Sequence, residues 1–517
     1  MGATLPISSR AADAGTVRPM SVVIAIDAGT TGVRSFAVRE DGTSAGYAYR
    51  EFPQHFPAPG LVEHDADDIW AATEHTLDEL VGRLGGDTVA AIGITNQRET
   101  TVVWDRRTGR PLHRALVWQD RRTAARCDEL AAAGHLDLVR RTTGLVLDPY
   151  FSATKLEWLL REGDVTAGPD LAFGTVDSWL LWKLTGGTDG GVHATESSNA
   201  SRTMLFDIEG LAWAPELTDL FGVPASCLPE VRPSAGRFGV TAAGTPLPGV
   251  PVAGILGDQQ AALFGQACFT PGMTKNTYGT GSFVLMNVGE TCPEPVEGLL
   301  TTVAWTGLAG GGPTYALEGA IFVTGATVQW LRDGLGLLPD SAAMGPLAES
   351  CPDTEGVYLV PAFTGLGSPW WDPYARGTIV GITRGTTASH LARAGVEAMA
   401  FQTRDVIEAM ASAAGHPVAE LRVDGGASAM DLLVQIQADQ LGVPVARPVH
   451  HETTALGAAY LAGLVEGVWA TTDDIAALWQ LDLRCEPQAG RDDADGRHAR
   501  WRAAVERSRR WALEPGA

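Results

Sequence analysis

Two short turns rich in glycine and hydroxyl residues could bind a chain of phosphates. The first is Asp27-Ala28-Gly29-Thr30-Thr31-Gly32, and the second is Tyr278-Gly279-Thr280-Gly281-Ser282. Glycine lets the backbone approach a ligand closely, threonine offers hydroxyl and amide donors, and the Asp27 carboxylate could hold hydrated Mg²⁺. Each pattern is also typical of a tight turn between two strands that binds nothing.

Two further features fit a nucleotide. Arg34 follows the first turn and could add positive charge near a transferring phosphoryl group. It could equally be an ordinary surface arginine. Asp424-Gly425-Gly426-Ala427-Ser428 follows a strand-like run and opens a helix, so its backbone could pack flat against a nucleoside. A Gly-Gly pair alone would not establish such a site.

Asp258 is the candidate general base. It follows the apolar run Val252 to Leu256 near the middle of the chain, where a carboxylate at a strand end could accept the proton of an attacking hydroxyl. Such proton transfer is worth roughly 10²- to 10⁴-fold in rate. The competing interpretation is that Asp258 caps a helix running from Gln259 to Gln266.

The adjacent charges Arg98 and Glu99 could bind a small neutral polyol, because together they supply donors and acceptors without leaving net charge. Trp118 and Phe283 could cover its CH groups with apolar surface. The alternatives are a solvated loop for the charged pair and core packing for the two aromatic rings.

Two other clusters are excluded from the mechanism. His450-His451-Glu452 lacks the second histidine of an H-E-x-x-H zinc site, so a loop or capping role is expected. Glu63-His64-Asp65 resembles a strand end followed by a helix over residues 66–80, with Asp65 as the cap.

The elements that would position these residues alternate between strand and helix and indicate an α/β fold. In the first half, strand-like runs cover residues 22–26, 35–38 and 90–95, a helix covers 154–161, and 224–251 is a Pro/Gly-rich connection. The second half repeats the glycine-threonine turn before an apolar strand. It then has a strand over 356–360, a helix over 390–411, a strand over 421–423 and a helix over 431–441.

The repeated beginning predicts two domains, residues 21–267 and 268–517, that could close on one phosphate chain from opposite sides. A chain of 517 residues is also longer than one hydrophobic core normally supports. We expect residues 1–20 to be a loose tail, with Met20 as an alternative start, and residues from Arg491 onward to form a solvated helix.

Composition excludes several classes of protein. The formal net charge of −23 argues against nucleic-acid and anionic-membrane partners, because the long-range field repels polyphosphate surfaces. Six scattered cysteines suggest neither a zinc site nor a disulfide framework, which is typical of a reduced, cytosolic protein. No apolar run is long enough for membrane insertion.

In this order, the motifs make the chain resemble the FGGY carbohydrate kinases from about Val22 to Trp469. The resemblance rests on long stretches that are closest to the glycerol-phosphorylating members: Ile94-Thr95-Asn96-Gln97-Arg98-Glu99-Thr100, Asp148-Pro149-Tyr150-Phe151-Ser152, Ser198-Asn199-Ala200-Ser201-Arg202-Thr203-Met204, Gly257-Asp258-Gln259-Gln260-Ala261-Ala262 and Pro361-Ala362-Phe363-Thr364-Gly365-Leu366-Gly367.

The resemblance implies two ribonuclease-H-like domains of the actin and hexokinase type around a catalytic cleft. It implies phosphorylation of glycerol to sn-glycerol 3-phosphate in glycerol catabolism, with ATP and Mg²⁺, by a cytoplasmic homo-oligomer, dimer or tetramer. Asp258 is then the base, and Asp27 faces the metal. The glycerol site comprises Arg98, Glu99, Trp118, Tyr150, Asp258, Gln259 and Phe283. The nucleotide site comprises Thr30, Thr31, Arg34, Thr280, Gly281, Gly325, Gln329, Gly426 and Met430.

Several positions depart from the family pattern. Ala28 replaces a common glutamine, which the phosphate turn should tolerate, and Met430 replaces an asparagine that reaches the adenine, so base selectivity is in question. Residues 240–252 lack the Gly-Gly-Thr-Arg segment that binds fructose 1,6-bisphosphate in enterobacterial-type members, which predicts no such inhibition. Residues 237–240 contain no histidine for the phosphorylation that activates some Gram-positive-type members.

Two other functions remain open from the sequence. One is a related kinase for another polyol or a ketopentose, which Arg98, Glu99 and Trp118 disfavour. The other is a catalytically silent binding or scaffold protein that keeps the fold, which the joint presence of Asp27, Asp258 and Thr280 disfavours.

Overall fold

A computed structural model of the chain describes residues 21–415 and 417–513. The predicted loose tail, residues 1–20, lies outside this part of the chain. The described part is organised around two large mixed β-sheets. All strands of the first sheet precede all strands of the second in the sequence.

The first sheet has six strands, and its order is β5-β6-β4-β1-β2-β3. Strands β1, β2 and β3 form an antiparallel meander, β1, β4 and β6 run parallel, and β5 pairs antiparallel with β6 at the edge. The apolar centre of β1 is fully buried, as a continuous run of β-branched residues predicts. The bounds are β1 Ser21–Ala28, β2 Gly32–Arg39, β3 Ser44–Glu51, β4 Thr88–Asn96, β5 Ala235–Val240 and β6 Pro251–Gly257.

The second sheet repeats this topology with one extra strand, in the order β9-β10-β8-β7-β11-β12-β13. A hairpin opens it, β7, β11 and β12 run parallel, and an antiparallel strand closes the edge. The predicted repeat of the chain is therefore a repeat of the fold. The bounds are β7 Thr274–Tyr278, β8 Ser282–Gly289, β9 Leu300–Trp305, β10 Thr314–Ile321, β11 Leu421–Asp424, β12 Val445–Pro448 and β13 Leu481–Cys485.

Helices cover both sheets. Among the described residues, eight α-helices fall before residue 267: α1 Ala66–Arg83, α2 Ala124–Ala132, α3 Leu136–Thr143, α4 Ser152–Arg161, α5 Val176–Leu184, α6 Ser197–Ala200, α7 Pro215–Leu220 and α8 Asp258–Gly265. Seven follow: α9 Gly325–Gln329, α10 Met344–Glu349, α11 Ala388–Ala414, α12 Asp431–Leu441, α13 Thr453–Val465, α14 Thr472–Leu478 and α15 Arg491–Ser508. None of these helices is long and apolar enough to cross a membrane.

Short strand pairs complete the described part. They are Gln54–His55 and Ala115–Leu116 on either side of Glu63–His64, Val102–Asp105 with Leu171–Gly174, Ala194–Glu196 with Glu230–Arg232, Phe206–Asp207 with Ala212–Trp213, and Tyr358–Val360 with Thr378–Val380. The predicted strand end at Glu63–His64, followed by a helix with Asp65 as cap, is confirmed, since the Asp65 side chain accepts the N–H of Asp67.

Helices α8 and α13 join the two sheets, because each lies between them. Helix α13 packs on the first sheet although it comes from the second half of the chain, and α8 packs against β7 and β8. The helices cross very closely: a Cβ on Gly457 would lie 1.8 Å from the Ala261 carbonyl oxygen. This crossing fixes the start of α8 at the junction of the two halves.

Two sequence predictions are wrong. Residues 224–251 are not only a connection, since they form Glu230–Arg232 and the edge strand β5. Helix α15 is not fully solvated, because Trp501 is buried against Phe401 and donates to the Asp405 carboxylate. The small and aromatic residues of α15 recur at helical spacing among many charges, which hides its buried face in the composition.

Candidate active site

Three parallel strands of the first sheet end at the same edge. Ala28 of β1 pairs with Asn96 of β4, and Asn96 pairs with Gly257 of β6. The segments that follow are the first glycine-threonine turn, Arg98 with Glu99, and Asp258. Because the carboxyl ends of parallel strands align, three separate motifs of the sequence converge on one edge.

Asp258 is the first residue of α8, and its side chain is 29% exposed. One carboxylate oxygen lies 3.2 Å from Arg98 Nε and accepts the N–H of Gln259 at 2.7 Å. Gly257 occupies the cap position, so the interpretation of Asp258 as the helix cap is wrong. Burial raises the pKa of the Asp258 carboxyl, and Arg98 opposes that rise. The result is a partly exposed proton acceptor held by a cation.

Arg98 and Glu99 are 2% and 1% exposed, so they are not a solvated loop. Arg98 donates to the Tyr150 hydroxyl at 3.1 Å and to both carboxylate oxygens of Glu318. Glu99 accepts from Arg202 Nε at 2.8 Å. Two buried arginines and two buried glutamates therefore neutralise one another beside Asp258.

Sequence reasoning did not assign Glu318 or Arg202 to the site. Glu318 lies on β10 of the second sheet, and Arg202 donates to it at 2.9 Å. Burial alone would raise the pKa of Glu318, but Arg202 and Arg98 outweigh burial and hold that pKa below its usual value. The available signal was one charged residue in an otherwise uncharged strand. The signal for Arg202 was its position in residues 198–204, a stretch that resembles the FGGY carbohydrate kinases.

Three aromatic rings line the same region. Trp118 lies 5.6 Å from Tyr150 and 6.3 Å from Phe283, measured between ring centroids. The Arg98 guanidinium lies 5.6 Å from the Phe283 ring centroid. Trp118 also donates from Nε1 to the Thr30 hydroxyl at 3.0 Å. Trp118 and Phe283 are only half-buried, so they pack in the core on one side and leave apolar surface beside Asp258 on the other.

The first glycine-threonine turn is held in place by hydrogen bonds from side chains of other segments. The Thr30 carbonyl accepts from Gln54 at 2.8 Å, and the Thr31 side chain is exposed. Asp27 is half-buried, and its carboxylate accepts no hydrogen bond from the described residues. Burial raises the pKa of Asp27 to about 7, opposed by Arg34 and reinforced by Asp258. Arg34 is half-buried and forms an ion pair with Glu452.

The second turn is anchored by its backbone. The Thr280 carbonyl accepts the N–H groups of Thr324 and Ala326 at 2.9 and 3.0 Å, and the Thr280 hydroxyl is exposed. A Cβ on Gly281 would lie 2.3 Å from the Ile321 carbonyl, and one on Gly325 would lie 2.6 Å from the Gly279 carbonyl. Glycine at both positions therefore lets the turn and the start of α9 lie in contact.

The predicted nucleoside residues are exposed or half-buried. Gly426 is exposed, and a Cβ there would meet no heavy atom within 4 Å. Gln329, the last residue of α9, is also exposed, whereas Met430 is half-buried and packs beside Gly345.

Comparison with known proteins agrees with this geometry. Residues 22–265 match the model of the FGGY family of carbohydrate kinases, N-terminal domain, and residues 274–465 match its C-terminal domain. The chain is 56% identical to glycerol kinase of Trichlorobacter lovleyi, covering 95% of this chain and 100% of that protein. It is 52% identical to glycerol kinase 2 of Thermotoga maritima, covering 95% and 99%.

A solved structure supports the same conclusion. The crystal structure of Plasmodium falciparum glycerol kinase with ADP superposes with a TM-score of 0.89 at 33% identity, covering 95% of this chain and 98% of that one. Agreement in sequence and in fold over nearly the whole length leaves no large region unaccounted for. The chain belongs to the FGGY family of carbohydrate kinases.

Proposed function

We propose that the protein phosphorylates a terminal hydroxyl of glycerol with ATP, giving sn-glycerol 3-phosphate. The observation that carries the proposal is the partly exposed Asp258 carboxylate 3.2 Å from the buried Arg98, at the sheet edge that also bears the first phosphate turn. The glycerol kinase names of relatives at 52–56% identity support glycerol over a larger polyol.

The proposed glycerol site is formed by residues of the first half of the chain and by Phe283 of the second half. Arg98, Glu99 and Tyr150 offer polar groups of both kinds to hydroxyls, and Gln259 adds an amide next to Asp258. Trp118 and Phe283 cover the CH groups. Asp258 takes the proton of the attacking hydroxyl as the new P–O bond forms and the bond to the ADP oxygen breaks.

The nucleotide side is formed mainly by the second half. The exposed Thr280 hydroxyl and the Gly281 amide point to a role at the γ-phosphate, and Thr30, Thr31 and Arg34 contact phosphate from the opposite side. The nucleoside lies along Gly325, Gln329, Gly426 and Met430. This division supports two domains, 21–267 and 268–517, that close on MgATP and exclude water.

The residues present fit a magnesium ion. Asp27 offers a carboxylate that no described donor engages, and burial raises its pKa further than the nearby Arg34 lowers it. Mg²⁺ prefers carboxylate and phosphate oxygens and keeps several waters, so one protein carboxylate is enough. Bound with ATP, it would neutralise charge on the phosphates.

A panel of acceptors tests the proposal. ADP release is measured with MgATP and glycerol, dihydroxyacetone, erythritol, xylulose and ribulose, then with other nucleoside triphosphates for the question raised by Met430. We expect the highest kcat/KM with glycerol. A clear preference for a longer acceptor would instead favour the alternative of a kinase for another polyol or ketopentose, and no ADP release with any acceptor would favour a silent scaffold.

Three properties stay predictions that rest on the resemblance. They are a homo-oligomer, dimer or tetramer, a cytoplasmic location, and insensitivity to fructose 1,6-bisphosphate. Light scattering on the purified protein measures the first. Adding fructose 1,6-bisphosphate to the ADP-release assay tests the third, and loss of activity would contradict it.

A further inference from the structure

Lys275 is a buried cation that the proposed mechanism leaves without a role. It lies on β7, is 0% exposed, and its ammonium donates to three neutral acceptors: the Gln259 side-chain oxygen, the Thr277 hydroxyl at 2.9 Å and the Phe283 carbonyl at 3.2 Å. No carboxylate of the described residues forms a salt bridge with it. Burying an ammonium without such a partner is costly, so the position calls for an explanation.

The three acceptors come from opposite sides of the junction between the two halves. Gln259 follows Asp258 on α8, and its N–H is bonded to the Asp258 carboxylate. Thr277 and Phe283 lie on the two strands of the hairpin whose turn carries Thr280 and Gly281. The Lys275 side chain therefore connects the segment that contains Asp258 to the hairpin that is proposed to present the phosphoryl group.

The charge of Lys275 also acts on Asp258. The charged groups around Asp258 are Arg98, Glu99 and Lys275, with Asp27 on β1, which is separated from β6 by β4. Those around Lys275 are Asp424, Asp258, Arg98 and Glu318. Burial lowers the pKa of Lys275 to about 8, opposed by Asp424 and Asp258. A protonated Lys275 favours the ionised form of Asp258, the form that accepts a proton.

We propose that Lys275 is a positioning residue for phosphoryl transfer: it holds Gln259 and the start of α8 against the hairpin whose turn carries Thr280. The inference rests on the proposed function, because it requires Asp258 to be the base. A lysine that merely filled space in the junction would affect stability but not the pH dependence of the reaction.

The test compares Lys275→Met and Lys275→Arg with wild type between pH 5.5 and 9.5. We expect Lys275→Met to lower kcat by about 10²-fold, the cost of a misplacement near 1 Å, with KM for MgATP little changed. The acidic limb of kcat/KM for glycerol, which reports the free enzyme, should move to higher pH. Above its pKa of about 8, the neutral Lys275 amine has only two N–H donors for its three acceptors, so wild type should show an alkaline limb near pH 8. Lys275→Arg keeps the charge, so it should keep the acidic limb and lose this alkaline limb.

Thr277→Val tests the proposal without removing the lysine, in case Lys275→Met does not fold. Loss of one acceptor destabilises the buried ammonium, so the alkaline limb should move to lower pH. Lys183→Met is the matched control, because it also removes a lysine but lies outside the proposed site. Lys183 is on α5, and its ammonium lies over the rings of Trp70 and Trp179. It should leave kcat and both limbs unchanged.

The outcomes separate the two proposals. If wild type phosphorylates glycerol but Lys275→Met keeps kcat within threefold with both limbs in place, the role of Lys275 is rejected and the proposed function stands. An alkaline limb that Thr277→Val does not move also rejects it. If wild type phosphorylates no polyol, the proposed function fails and the role of Lys275 fails with it.

Discussion

Two carboxylates next to Arg98 have the same chemistry and opposite surroundings. Asp258 is partly exposed and burial dominates, so its pKa is raised. Glu318 is completely buried, but two arginines hold its pKa down. Groups whose pKa values are pushed apart in this way take different roles. Glu318 serves as a permanent counter-charge for Arg98 and Arg202, and Asp258 is left to accept a proton.

Replacing Glu318 by Gln should destabilise the protein, because it leaves two buried guanidinium groups without full compensation. Breaking a buried pair costs about 3 to 5 kcal/mol, which denaturant unfolding would detect. Glu408→Gln is the control: Glu408 pairs with Arg404 but is 49% exposed, where such pairs are worth at most about 1 kcal/mol. Equal effects of the two substitutions would contradict the role of Glu318.

The same substitution has a pH signature. The folded pKa of Glu318 lies below its unfolded value, so its contribution to the free energy of unfolding is complete above the unfolded value. That contribution is lost as the pH falls through the folded pKa. The stability difference between wild type and Glu318→Gln should therefore narrow on acidification. A difference that stays constant down to acid unfolding would contradict this assignment.

At the scale of elements, the crossing of α8 and α13 determines where Asp258 lies. Gly457→Ala places a methyl group 1.8 Å from the Ala261 carbonyl oxygen, so the helices must separate. We expect a lower melting temperature and a lower kcat, since the start of α8 moves with the helix. Overpacking of this kind costs about 1 to 3 kcal/mol.

The control for this prediction is a glycine with the opposite expectation. Gly496 is exposed within α15 and has open space around its Cβ position. Gly496→Ala should therefore stabilise the protein by about 0.5 to 1 kcal/mol and leave kcat unchanged. Destabilisation by both substitutions would show that the crossing is not the cause.

Some long, strongly patterned elements could be predicted from local pattern. The helix expected over residues 431–441 is α12, Asp431–Leu441, and the one expected over 390–411 is the core of α11, Ala388–Ala414. Apolar periodicity and flanking turns suffice for such segments. The edge strand β5 was missed because its stability comes from pairing with β6, which no local pattern reveals.

At the scale of the whole molecule, the repeated turn correctly predicted that the fold occurs twice. The contacts between the halves could not be predicted in the same way. Arg98 and Glu318 are 220 residues apart in sequence, and the Lys275 contact with Gln259 depends on how α8 meets β7. Such pairs are decided by tertiary packing, so the sequence could name Arg98, Glu99 and Asp258 but not the residues that hold them.

The proposed function requires Asp258 to accept the proton of a glycerol hydroxyl that is held between the two halves of the chain. The most direct measurement is kcat for glycerol phosphorylation by Asp258→Asn, which keeps the side-chain shape and removes the base. We predict a fall of about 10²- to 10⁴-fold, with MgATP binding and melting temperature close to wild type. A variant that kept near-normal kcat would contradict the central claim.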